Sequence, residues 1–169
     1  MIKQLKDHLT EHEIETILKI IKSQYKKFLR FTESTEFTSI FSDEYAPHKK
    51  QHTISWAISS AFPSGKIVGE SLVVERLLYG KGHTRPILSN KMIELHILNK
   101  TTDFESEYLK KRYQYNTNNF SLPKLFAYIM YEVKNKKLIS ITLCLPDETG
   151  VVIERELLMS RDVLQQLVA

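Results

Sequence analysis

Apolar residues recur every three or four positions from the first tenth of the chain. Ile14, Ile17, Leu18, Ile21, Tyr25, Phe28 and Leu29 fall on one arc at about 100° per residue, predicting an amphipathic helix. Its start is specified locally. In Thr10-Glu11-His12-Glu13 the threonine hydroxyl is placed to accept the amide of Glu13, and the Glu13 carboxylate to accept the amide of Thr10, forming a capping box. Leu9 and Ile14 occupy the two positions of a hydrophobic staple. The opposite arc carries Lys19, Lys22, Lys26, Lys27 and Arg30, so the helix buries one side and turns a basic stripe to water.

The pattern then changes. Thr32 to Lys50 is rich in Ser, Thr and acidic residues and reads as an irregular connection, pinned to the core by Phe37, Ile40, Phe41 and Tyr45. His52 to Phe62 has Ile54, Ala57, Ile58 and Ala61 on one side, predicting a short helix that Pro63-Ser64-Gly65 ends. β-Branched residues and partial alternation favour a strand over Ile67 to Tyr79, with a helix through Leu72, Val73, Arg76 and Leu77 as its competitor. Gly80 to Pro86 reads as a loop, Met92 to Leu98 as a second strand, and Thr102-Asp103-Phe104-Glu105 as the capped start of a helix reaching Tyr115. Asn116 to Pro123 breaks that helix.

Three strands follow, over Leu125 to Val133, Leu138 to Leu145 and Val151 to Leu158. Short connections require them to pair antiparallel, as a meander. Ser160 caps a last short helix bearing Val163, Leu164 and Leu167. This order predicts a single α+β domain over residues 1–169: a mostly antiparallel sheet of about five strands, packed on one face by N-terminal, central and C-terminal helices.

Composition narrows the setting. One cysteine, Cys144, excludes an internal disulfide framework and fits a reducing compartment. The N-terminal residues hold no apolar stretch like that of a signal peptide, and no apolar run reaches the roughly 18 residues of a membrane span, so a cytoplasmic protein without a membrane partner is expected. The net charge of +4 is unevenly spread: residues 1–30 carry seven basic and four acidic groups, residues 66–115 nine and six. Lysine supplies 18 of the 24 cations, which points to diffuse electrostatics, or to the compositional bias of an AT-rich coding sequence, more than to bidentate recognition by arginine.

Several clusters could carry chemistry. Tyr108-Leu109-Lys110-Lys111-Arg112-Tyr113-Gln114-Tyr115 interleaves rings with cations, the combination that stacks on bases and neutralises phosphates. On a helix, however, Tyr108 and Tyr115 share a side and are suited to packing. Gly80-Lys81-Gly82-His83-Thr84-Arg85-Pro86 offers a supple backbone and anion-binding groups but lacks the spacing of a phosphate loop. His48-Lys49-Lys50-Gln51-His52 forms a small basic patch. Neither Ser59-Ser60 nor Ser71 sits in a nucleophile elbow, and Cys144 lies mid-strand among leucines.

Glu94 and His96 are two apart in a strand, so both side chains leave one face about 7 Å apart, as a base with its orienter or as two metal ligands. Glu70, Glu75 and His83 are near enough in sequence to complete such a set. The lysine that a Glu-x-Lys nuclease strand requires is absent, and the expected placement is a polar outer face, with Ile93, Leu95 and Ile97 pointing inward.

The expected function is therefore a non-enzymatic binding protein, with no cofactor and no bound metal. It engages nucleic acid, or a protein that handles it, through a surface of Lys19, Lys22, Lys26, Arg30, Lys110, Lys111, Arg112, Tyr113 and Tyr115. A regulator or inhibitor of a host protein, of the kind phages and mobile elements encode, fits this outline, and the meander edges allow a homodimer. Charge reversal at Lys110, Lys111 and Arg112 is expected to weaken either kind of complex while leaving thermal stability nearly unchanged. The alternative is metal-dependent phosphodiester hydrolysis centred on Glu94 and His96.

Overall fold

The computed structural model describes residues 2–35, 54–79, 83–100, 110–112, 114, 124–134, 137–147 and 149–160. Helix α1 (Ile2–Lys6) leads into α2 (Glu11–Thr32). The capping box forms as the sequence predicts: Glu13 N donates to Thr10 Oγ1 at 3.1 Å and Thr10 N to Glu13 Oε2 at 3.0 Å. Ile14, Ile17, Ile21, Tyr25 and Phe28 are buried along one side of α2. Residues 54–60 form α3, whose Ile54 and Ile58 join the same core. Full burial of each such aliphatic side chain contributes roughly 1.5–3 kcal/mol, so the inner side of α2 holds the helix to the sheet.

That sheet has seven strands among the described residues, in spatial order β1 to β7: Ile67–Val68, Leu72–Tyr79, His83–Ser89, Ile93–Asn99, Leu125–Lys134, Lys137–Pro146 and Val152–Met159. Every neighbouring pair is antiparallel except β4 and β5, which run parallel with Ile93 opposite Leu125 and Asn99 opposite Tyr131. The α+β class and the C-terminal meander agree with the sequence; the strand number does not.

Two of the additional strands have local causes. Residues 67–79 form a tight hairpin, β1 and β2, which turns at Gly69 with φ of +65°. β3 occupies part of the expected Gly80 to Pro86 loop. Pro86 lies opposite Arg76 of β2, beyond the Ile87–Ser89 stretch that pairs with β4, so its missing N–H interrupts no ladder on that side. The helix expected to end at Tyr115 is represented by helical residues 110–112 and 114. The connection over 36–50 and the expected helix after Ser160 lie outside the described residues.

Helices α1, α2 and α3 pack on the sheet face that carries Leu72, Val74, Leu88, Ile93, Leu95, Ile97, Ala127, Ile129 and Leu143. A three-way contact ties α2 to this layer. Glu13, 1% exposed, also accepts the amide and hydroxyl of Ser71 through Oε1, at 3.1 and 2.7 Å. Asn90, in the β3–β4 turn, donates to Ser71 Oγ at 3.0 Å and accepts the amides of Met92 and Ile93. At the other end of α2, Tyr25 Oη accepts the Leu138 amide of β6 at 3.1 Å. Arg76 donates to the carbonyls of Ser59 and Phe62, satisfying groups at the C-terminal end of α3.

The expectation of one helical face and one wet face is corrected. β4 is buried on both sides, and Leu98, Phe126, Tyr128 and Cys144 form a second apolar cluster on the face opposite α2. A strand running parallel to its neighbour needs a long crossover, and here residues 100–124 make it. No described helix is long and apolar enough to cross a membrane.

Candidate functional site

Two arrangements emerge, one buried and one exposed. The buried one begins on β4. Glu94 and His96 leave the same face, as their spacing predicts, but that face is covered: Glu94 is 2% and His96 0% exposed. The reading of the pair as an outer polar fringe is therefore corrected. An alternating polar and apolar strand looks the same whether its polar side meets water or a buried partner, and here it meets a partner.

That partner is Arg112. Its Nε donates to Glu94 Oε1 at 2.6 Å and a terminal nitrogen to Glu94 Oε2 at 2.9 Å, a bidentate grip from the crossover onto the sheet. His96 Nε2 lies 2.7 Å from Glu94 Oε1. Burial alone would push the Glu94 carboxyl up, yet the hydrogen bonds and charges of His96 and Arg112 hold it down at about 2. Burial pulls His96 the other way, below the ordinary imidazole range, against the attraction of Glu94 and with the help of Arg112 and Arg85. The arrangement is an ionised carboxylate gripped by a permanent guanidinium, with the Nε2 of an imidazole whose charged form is disfavoured by burial set against Oε1. The imidazole ring packs against Phe126 with centroids 4.8 Å apart, and Tyr128 stands opposite His96 in the parallel register.

This chemistry suits a lock more than a reaction centre. Glu94 spends both oxygens on donors already in place. Glu75 is on the same face but exposed, turned to the Ser89 hydroxyl at 3.4 Å, and Glu70 is exposed in the β1–β2 turn. The side chain of His83 lies outside the described residues. Among the described residues no group of three or more His, Cys, Asp or Glu side chains converges as a metal site would. Cys144 is buried and its thiol is pushed up to about 11 by that burial, which keeps it protonated and unreactive at neutral pH.

The exposed arrangement is the outer side of α2. Lys19, Lys27 and Arg30 are exposed and Lys22 and Lys26 half-buried. None of these five forms an ion pair with a described residue. Partial burial and the neighbouring Lys26 lower the Lys22 pKa, a sign that like charges are crowded there.

The structure separates the cations that the sequence grouped. α2 lies on one face of the sheet, whereas Arg112 reaches the other. Arg112 is turned inward, with its side chain 17% exposed, so it leaves the expected binding surface. Lys110 and Lys111 are exposed beside it. Tyr113, Tyr115 and the His48 to His52 patch lie outside the described residues. What sequence reasoning missed was the role of Arg112. The available signal was the carboxylate itself, since a glutamate amid Ile93, Leu95 and Ile97 requires a cation if it is buried.

No family model, no curated protein and no solved structure matches this chain.

Proposed function

We propose that this chain is a non-enzymatic binding protein that engages nucleic acid, or a protein handling it, through the basic side of α2. The observation that carries the reading is the run of Lys19, Lys22, Lys26 and Arg30 along one helix side, without ion pairs among the described residues. Eleven residues at about 1.5 Å each set those charges along roughly 16 Å of surface. Lysines at i and i+4 repel one another by a few tenths of a kcal/mol, a cost that an acidic partner removes. Lys110 and Lys111 serve the same class of partner from the other face of the sheet. A regulator or inhibitor of a host protein remains within this reading, and the single buried thiol suits a cytoplasmic setting.

Support for hydrolysis at Glu94 and His96 is weaker, because the carboxylate is already neutralised by Arg112 and the imidazole is wholly buried. A homodimer through β7 is also less favoured. That edge strand intersperses Glu154, Arg155 and Glu156, a pattern that discourages edge pairing, and α1 engages it through Ile2 N to Glu154 and Lys6 to Glu156.

Chromatography on immobilised DNA and RNA tests the reading. Retention at low ionic strength, released as salt rises, is the expected result. Passage through both columns at low salt removes nucleic acid as the partner.

A further inference from the structure

We draw no further inference here: the strongest candidate, the exposed apolar patch of Ile153 and Leu157 on either side of Arg155 in edge strand β7, is a sheet surface for which nothing in the structure shows what covers it.

Discussion

Arg112 grips both carboxylate oxygens of Glu94, at 2.6 and 2.9 Å, and so fastens the β4–β5 crossover to the sheet face opposite α2. Removing the guanidinium leaves a carboxylate 2% exposed without its charge partner. Arg112→Ala is expected to cost about 3–5 kcal/mol, read as a lower urea midpoint. Arg112→Lys keeps the charge but not the fork, and should fall between the two. Replacing the pair together, with Glu94→Leu and Arg112→Met, should recover much of the loss, because the desolvation cost of both charges disappears with them. The sequence-based expectation that charge reversal at Arg112 leaves stability unchanged is thereby reversed.

Acid should loosen the same lock in two stages. His96 has a folded pKa below its ordinary 6.5, so the unfolded chain binds more protons as pH falls below that value, and stability declines. Glu94 has a folded pKa lowered from 4.5 to about 2, so its contribution is complete above 4.5 and is lost as pH falls toward 2. The carboxylate stage is worth about 3 kcal/mol. Urea midpoints for wild type and His96→Gln across pH 4 to 8 (~0.5-unit steps) check the first stage: the wild-type curve should fall more steeply below 6.5, and parallel curves would contradict it.

Gly69 is predicted to tolerate no side chain. Its φ is +65°, and a Cβ there would overlap Glu13 Cγ. Glu13 holds Thr10 N and both donors of Ser71, so it has little freedom to retreat. Gly69→Ala should therefore destabilise by about 1–3 kcal/mol, and Glu13→Gln, which keeps the shape but weakens the acceptors, by less. Thermal denaturation of the two variants separates strain at the turn from loss of the hydrogen bonds.

Local signals were legible in the sequence and distant ones were not. The capping box and the spacing of Ile14, Ile17, Ile21, Tyr25 and Phe28 specify α2 within a few turns, and the three C-terminal strands announce themselves by short connections. β1 is only two residues long, too short for a pattern, and β3 is hidden by Pro86 and the preceding glycines. The parallel pairing of β4 with β5 depends on a crossover whose path no short-range rule fixes. Spacing placed Glu94 and His96 on one face, but burial of that face depends on Arg112, 18 residues away from Glu94. The docking of α2 on β6 was equally hidden, because Tyr25 and Leu138 are 113 residues apart.

The basic side of α2 is the centre of the functional account, and the salt dependence of binding tests it most directly. Affinity for a labelled duplex is measured over a series of salt concentrations for wild type and for Lys19→Gln with Lys22→Gln and Lys26→Gln. The account predicts that wild-type affinity falls linearly on logarithmic axes, and that the variant loses about 0.9 in slope for each lysine that meets a phosphate, with its melting temperature unchanged. Identical slopes and affinities for the two proteins would contradict it.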